Sequence, residues 1–310
     1  MINFECLECH LRFNEEKGLH FHIKKYHGLD KQTYYEKFIP RYDLWDNSLI
    51  RFKNKDFYLS SSFNNRKNMN NWLTQKATKQ EAILYITEKF KERKIEKNWI
   101  WAPTTIELRS QEGLPSIPVF EKLQLDYNQF CESIGLKVRF NYNQLLELQN
   151  LTENLKFCIL QDSREQKPLT FPIKTIKAVL KVGDYSIENS NIYIERKALG
   201  DLVSTISRGY ERFKRELERA RKMGVYLILL AEQPLKDLMS IEYLPYLHTQ
   251  ATSSFILHRL RDLLQEFGDC FQMACCKNRK DMIQLILNIF SIGDLAKQIE
   301  IQYYHDKNLI

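Results

Sequence analysis

The chain has 310 residues, of which 44% are hydrophobic and 27% are charged, and its formal net charge is +7. This length and apolar content suffice for two or three small domains with buried cores, which excludes a disordered chain. No apolar run is long enough to span a bilayer, and the N-terminus lacks the features of a signal peptide. We therefore expect a cytoplasmic protein, or a nuclear one in a eukaryote, without a membrane partner. The positive charge fits DNA but also fits proteins that bind no polyanion.

Residues 1–28 contain a cysteine and histidine pattern. Cys6 and Cys9 form one pair, twelve residues follow, and His22 and His27 form the second pair. This spacing predicts a two-cysteine, two-histidine zinc finger with a ββα fold. Its Zn2+ would be structural, because so small a unit does not fold without metal. The alternative is a chance Cys-x-x-Cys beside a histidine-rich helix.

The helix of this finger carries basic residues, among them Lys24 and Lys25. They predict contact with DNA, and a protein-binding finger is the competing interpretation. The following residues, 29–75, are rich in aromatic and polar side chains and indicate a connector.

Residues 76–150 predict a small helical module. A helix is expected from Gln80 to Ile95, and a Pro-Ser start followed by aromatic residues and Gly135 indicates further short helices. This second part resembles the short repeats that accompany homing and phage nucleases, which implies DNA binding. An all-helical spacer is the alternative.

A charged pattern lies between apolar segments from Gly183 to Asp201. It reads Gly183-Asp184, a polar bend, Glu195-Arg196-Lys197 and, after three residues, Asp201. Because side chains alternate along a strand, Glu195 and Lys197 share one face, and a hairpin would bring Asp184 near Glu195. Two carboxylates beside a lysine predict a site for a hard cation and for phosphodiester hydrolysis. The alternative is an exposed hairpin whose charges are solvated.

A second group of charged residues precedes this pattern. The apolar run up to Gln161 predicts a strand that delivers Asp162, with Arg164 and Glu165 directly after it. Apolar residues between Phe171 and Val182 predict a helix between this strand and the hairpin.

Both motifs resemble those of the XPF-type nuclease domain of structure-specific repair endonucleases. The resemblance covers residues 155–290 and implies a restriction-endonuclease-like α/β core, with metal-dependent cleavage of DNA near branch points. It implies Mg2+ or Mn2+ held by Asp162, Asp184 and Glu195, with Lys197 positioning or activating the attacking water. The same resemblance gives supporting roles to Arg164, Glu165, Arg196 and Asp201. It also implies pairing of two such cores in a homodimer, and it implies no small-molecule cofactor.

An apolar stripe with three- and four-residue spacing follows the hairpin and predicts a core-facing helix pair or a helix kinked at Gly209. On its opposite side a basic row recurs at the same spacing: Arg208, Arg212, Arg215 and Arg219. The row predicts a track for DNA phosphates. A solvated face on which these arginines pair with neighbouring glutamates is an equally weighted interpretation.

The remaining apolar segments complete an alternating α/β pattern. We expect a nuclease-like core at 155–292, with a central mixed sheet flanked by helices, and a tail at 293–310. The predicted function is a metal-dependent DNA endonuclease acting on branched DNA in repair or recombination. One alternative is a phage, mobile-element or defence enzyme that cuts particular duplex sites. Another is a zinc-finger DNA-binding protein whose nuclease core is inert.

Overall fold

The computed structural model describes residues 4–40, 66–111, 113–144, 157–244, 247 and 249–310. Two compact units divide the chain, Met1–Asn65 and Arg66–Ile310. Residues 41–65 of the predicted connector, and 145–156 at the predicted boundary of the core, lie outside the described residues. None of the helices in the described ranges has both the length and the apolar character needed to cross a membrane.

The N-terminal unit has the ββα order expected of a finger. Strands β1 (Phe4–Glu5) and β2 (Arg12–Phe13) pair antiparallel, and helices α1 (Glu16–His27) and α2 (Lys31–Phe38) follow. Its buried cluster consists of Cys6, Leu19, Ile23 and Tyr34. The Tyr34 hydroxyl also accepts a hydrogen bond from the Leu7 amide, at 2.7 Å. The core is small, and α2 enlarges it beyond the predicted 28 residues.

The second unit begins with helices that surround a cluster of aromatic rings. They are α3 (Arg66–Asn71), a π-helical turn (Trp72–Lys76), α4 (Lys79–Glu96), α5 (Thr105–Ser110), α6 (Ile117–Lys122) and α7 (Tyr127–Ser133). Capping boxes start α4 at Thr78 and α5 at Thr104. Residues 66–76, which the sequence placed largely in the connector, therefore form helices of this unit.

A six-stranded mixed sheet forms the centre of this unit, in the order β4-β3-β5-β6-β7-β8. The strands are β3 (Ile159–Asp162), β4 (Thr175–Ala178), β5 (Tyr185–Ile187), β6 (Ile192–Lys197), β7 (Tyr226–Ala231) and β8 (Phe271–Cys275). β5 pairs antiparallel with β3 and β6, whereas β6, β7 and β8 run parallel. β7 and β8 are buried throughout, as continuous apolar runs predict.

The helix predicted between Phe171 and Val182 is wrong. The segment forms strand β4, which pairs parallel with β3 at the edge of the sheet. The burial of its residues alternates between exposed and half-buried, and Val179, one of the apolar residues from which the helix was predicted, is 79% exposed. Four apolar residues in a short segment imitate a helical period, and pairing with β3 decides in favour of a strand.

Helices cover the sheet and complete the α/β layers. They are α8 (Leu199–Ser207), α9 (Tyr210–Lys222), α10 (Leu235–Leu238), α11 (Ser253–Glu266), α12 (Arg279–Ile292) and α13 (Ile301–Asp306). The apolar stripe after the hairpin thus folds as the predicted helix pair, α8 and α9. The fold class predicted from the sequence, a mixed sheet flanked by helices behind a ββα finger-like unit, is confirmed.

Polar contacts join the helical module and the last residues to the sheet domain. Gln265 of α11 accepts hydrogen bonds from the amides of Ile100 and Trp101, both at 2.9 Å. Buried Glu300, just before α13, accepts hydrogen bonds from Thr105 at 2.6 and 3.1 Å and from Tyr142 at 2.9 Å. The residues after 292 are therefore packed into this unit.

Candidate active site

The β5–β6 hairpin brings two acidic residues together. Tyr185 pairs with Ile194, and the amide of Asp184 donates to the Ile194 carbonyl at 2.7 Å. Asp184 therefore stands opposite Glu195, and its Oδ2 accepts a hydrogen bond from the Arg196 amide at 2.8 Å. Glu195 is only 5% exposed. Pairing across the hairpin thus places both carboxylates at one end of the sheet.

Burial and mutual repulsion disfavour the charged forms of these acids. Burial raises the pKa of Asp184 to about 6, although the Arg196 amide and Lys197 oppose the rise. Burial and the Asp184 charge raise the pKa of Glu195 to about 8, against the opposing effect of Lys197. A pair of buried carboxylates that repel each other is the environment that a bound cation relieves.

Lys197 lies beside this pair, on the same face of β6 as Glu195, and its ammonium contacts Glu195 Oε1. Burial lowers the pKa of Lys197, but Glu195 and Asp184 outweigh burial and raise the pKa above its ordinary value. The two neighbouring carboxylates therefore favour the charged form of this side chain.

Asp162 lies at the end of β3, 2% exposed, and Arg164 and the backbone saturate its carboxylate. The Arg164 guanidinium donates to both oxygens, at 2.9 and 2.7 Å, and the Leu180 amide donates to Oδ2 at 3.0 Å. These hydrogen bonds, above all from Arg164, lower the pKa of Asp162. Among the described residues, the oxygens of Asp162, Asp184 and Glu195 do not all come within 4.8 Å of one another. The structure therefore does not gather the three predicted cation ligands.

Arg196 connects two acids on the opposite face of β6. Its guanidinium donates to Glu165 and Glu232, both at 2.9 Å, and Arg279 donates to Glu232 at 2.6 Å. Arg196 is 7% exposed, so these ion pairs fix its position. Glu232 follows β7 at the same end of the sheet. The backbone amide of Arg196 thereby reaches Asp184 from an immobilised residue.

Two further acidic residues lie on the helices that follow the hairpin. Asp201 is exposed in the first turn of α8, where its charge favours the helix N-terminus. Glu216 of α9, which the sequence reasoning did not single out, accepts a hydrogen bond from the Gly183 amide at 3.2 Å. In the sequence, Glu216 stands out only by its position next to the apolar stripe of α9. Its contact with Gly183 depends on how α9 packs on the sheet.

The basic row is exposed throughout, with Arg208 directly after α8 and Arg212, Arg215 and Arg219 on α9. Within the described ranges, no acidic side chain forms an ion pair with any of them, so the predicted pairing with nearby glutamates is absent there. Arg212 and Arg219 lie four residues before and three residues after Glu216, which makes them its neighbours on the helix surface. Two arginines of the basic row therefore flank Glu216, the residue that accepts the hydrogen bond from Gly183 beside Asp184.

Cys6, Cys9, His22 and His27 form a separate cluster in the N-terminal unit. One ligand atom of each lies within 4.8 Å of the others, and this is the sole such group of three or more among the described residues. Two sulfurs and two imidazole nitrogens are the donor set of a tetrahedral Zn2+ site. Lys24 and Lys25 are exposed on α1 beside the exposed rings of Phe21 and Tyr26.

Part of the chain is similar to known proteins. A protein-family model described as the ERCC4 domain matches residues 161–245. The solved structure of XPF from Aeropyrum pernix is 17% identical over 45% of this chain and 67% of its own, with a TM-score of 0.33. XPF from Aeropyrum pernix in complex with DNA is 18% identical over 46% and 65%, with a TM-score of 0.35. No curated protein matches the chain at a significant level. The matched residues include both predicted motifs and the basic row.

Proposed function

We propose that this protein is a metal-dependent DNA endonuclease, because a family model described as the ERCC4 domain matches residues 161–245 and the charged motifs there resemble those of XPF-type nucleases. The observation that carries the proposal is the buried Asp184–Glu195 pair with Lys197 beside it. The match includes all three residues.

The donor chemistry supports Mg2+ or Mn2+ at this pair. Carboxylate oxygens are hard donors, and Mg2+ characteristically takes one or two carboxylates and keeps several waters. Asp184 and Glu195 would hold such an ion, because the repulsion between their charges favours binding of a cation. A cation held there would polarise the scissile phosphate and lower the pKa of an attacking water.

Lys197 acts as an orienting cation in this proposal. Glu195 and Asp184 raise the pKa of Lys197, which favours the charged ammonium over the neutral amine that a general base needs. Its ammonium would donate to a phosphate oxygen or to the attacking water and stabilise the negative charge of the transition state. This choice narrows the two roles that the sequence left open.

Asp162, Arg164, Glu165 and Arg196 support the pair. Arg164 holds Asp162, whose backbone amide donates to the Asp184 carbonyl at 2.8 Å. Glu165 holds Arg196, whose backbone amide binds the Asp184 carboxylate. Both ion pairs therefore fix Asp184, from its backbone and from its side chain.

DNA is the proposed partner, and the arginine row on α8–α9 is the proposed phosphate contact. These arginines are exposed and have no ion-pair partner among the described residues, and two of them flank Glu216, which contacts the turn before Asp184. Phosphate contacts of this kind hold a duplex without reading its sequence. Lys24 and Lys25 would add contacts from the N-terminal unit.

We also propose that Zn2+ binds Cys6, Cys9, His22 and His27 in a structural role. All four positions of a tetrahedron come from the protein, which leaves no position for a substrate.

Cleavage by active-site variants tests the proposal. Asp184→Asn keeps an oxygen for the Arg196 amide but removes the charge, and Lys197→Ala removes the ammonium. Each should lower Mg2+-dependent cleavage on the order of 10³-fold while DNA affinity changes little. Glu188→Gln, on the exposed bend of the same hairpin, is the control with unchanged cleavage. Full cleavage by Asp184→Asn would refute the mechanism.

The choice of DNA substrate distinguishes the remaining candidate functions. We propose branched DNA in repair or recombination, and cleavage of forked and flapped DNA should exceed that of plain duplex. Preference for particular duplex sites would favour the phage, mobile-element or defence enzyme instead. If no DNA is cut with Mg2+ or Mn2+, the protein is a DNA-binding protein with an inert core. Pairing of two chains through the core stays a prediction, for sedimentation velocity to test.

A further inference from the structure

Glu216 differs from the other acids near the Asp184–Glu195 pair. Asp162 and Glu165 are each held by an arginine, Arg164 and Arg196. Glu216 comes from helix α9 instead of from a strand, and its bond goes to the backbone of the chain next to Asp184.

The partner of Glu216 lies in a tightly constrained turn. Gly183 is buried and has a φ of +68°, in the left-handed region that favours glycine. A Cβ at this position would lie 2.9 Å from the Ile194 carbonyl oxygen. The backbone of Gly183 therefore passes directly against β6, and its amide points to α9, where Glu216 Oε1 accepts it.

Helix α9 is itself fixed, so it can hold this turn. Phe213, Leu217 and Ala220 bury the inner face of α9, each at most 2% exposed, in the cluster that packs on β7 and β8. Without an acceptor, the buried Gly183 amide would lose its hydrogen bond, and the turn would shift to find another.

Glu216 also interacts with the site through its charge. Glu216 contributes to raising the pKa of both Glu195 and Lys197, after the larger effects of burial and nearer charges. Its carboxylate is thus close to the site as well as to the turn.

We infer that Glu216 is a positioning residue of the proposed site: its hydrogen bond to Gly183 holds the Gly183–Asp184 turn against α9 and sets where the Asp184 carboxylate stands opposite Glu195. The consequence for cation binding rests on the proposed function. Residues that orient a ligand of a metal change metal affinity by about 10- to 100-fold when they are replaced.

Two substitutions with side chains of similar length separate the effect of the hydrogen bond from the effect of the lost charge. Glu216→Gln keeps a carbonyl acceptor for the Gly183 amide, and Glu216→Met does not. Glutamine and methionine have similar helix propensities, so α9 should fold in both. Glu218→Met, at an exposed position of the same helix, is the control.

Binding of Mn2+ to the zinc-loaded full chain, followed by electron paramagnetic resonance, is the measurement. Glu216→Met should weaken Mn2+ binding about 10-fold, and Glu216→Gln should stay within about 3-fold of the original protein. Glu218→Met should bind Mn2+ unchanged. In cleavage assays at fixed Mn2+, Glu216→Met should lower kcat with little change of KM for DNA, because the arginine row is intact.

Two results overturn the inference alone: undiminished Mn2+ affinity in Glu216→Met, or an equal loss in Glu216→Gln and Glu216→Met. The second result would assign the effect to charge instead of to the hydrogen bond. If the original protein neither binds Mn2+ nor cleaves DNA, the proposed function fails and the inference fails with it. A lower melting temperature of Glu216→Met with undiminished Mn2+ affinity also counts against the inference, as a structural effect only.

Discussion

The two candidate cation sites of this protein are built in opposite ways. In the N-terminal unit, four sulfur and nitrogen donors already lie within 4.8 Å of one another, around a buried cluster of only four residues. In the core, two carboxylates and a lysine lie at the end of a sheet that packs in a large cluster of apolar residues, none of which belongs to the site. The first site has the features of a structural metal site in a unit too small to fold without metal. The second has the features of a catalytic site on a domain with its own apolar core.

Removal of Zn2+ should show the largest difference between the two sites. Cys9→Ser, or a zinc-selective chelator, should unfold the N-terminal unit, because Zn2+ binding in small fingers is worth on the order of 10 kcal/mol. Amide signals of residues 4–40 should lose dispersion in NMR spectra, while the thermal transition of the core stays unchanged. Persistent dispersion after chelation would show that Cys6, Leu19, Ile23 and Tyr34 suffice as a core.

Gly183→Ala should show that the structure of the core site depends on the backbone geometry of its turn, whereas the N-terminal unit depends on metal. The added Cβ would meet the Ile194 oxygen and impose a left-handed conformation on alanine. We expect a loss of about 3 kcal/mol in the free energy of unfolding, measured by urea denaturation, and reduced cleavage. Gly224→Ala, also left-handed but without a neighbour within 4 Å of its Cβ, is the matched control and should cost less. Equal losses in both variants would contradict the steric argument.

Protons should affect the stability of the core in a way that Zn2+ does not. Burial raises the pKa of Glu300 to about 7 from an ordinary value of 4.5. Because the folded state keeps this proton longer than the unfolded state, the contribution of Glu300 is complete below pH 4.5 and is lost as the pH rises towards 7. The loss between pH 5 and pH 7 should be about 2 kcal/mol. Glu300→Gln should remove this part of the pH dependence in urea denaturation, and parallel pH profiles would refute the assignment.

DNA affinity should separate the two regions by the smallest effects. Arg212→Gln with Arg219→Gln should lower affinity up to about 10-fold and reduce the slope of log K against log salt by about 2. Lys24→Gln with Lys25→Gln should have a smaller effect if the finger only adds contacts. Lys236→Gln with Lys280→Gln removes the same charge elsewhere and should leave the slope unchanged. An unchanged slope in the arginine variant would mean that the row is a solvated surface that does not contact DNA phosphates.

The sequence predicted features whose cause is local. Apolar runs predicted β7 and β8, apolar periodicity predicted α8 and α9, and the cysteine and histidine spacing predicted a ββα unit with a closed ligand group. The prediction failed at Phe171–Val182, where a short apolar segment fits two periods and only pairing with β3 decides. Asp162 shows the same limit, because its adjacent Arg164 was visible in the sequence but the engagement of both carboxylate oxygens was not.

The order of residues alone determined which side chains could meet across the β5–β6 hairpin, since alternation along strands is a property of the backbone. Tertiary structure decided which acids are free to bind a cation, because it closes Arg164 onto both oxygens of Asp162 and brings Arg196 from strand β6 to Glu165. It also brought Glu216 to Gly183 across 33 residues. Contacts of that kind arise from the packing of α9 on the sheet, which no local pattern in the sequence specifies.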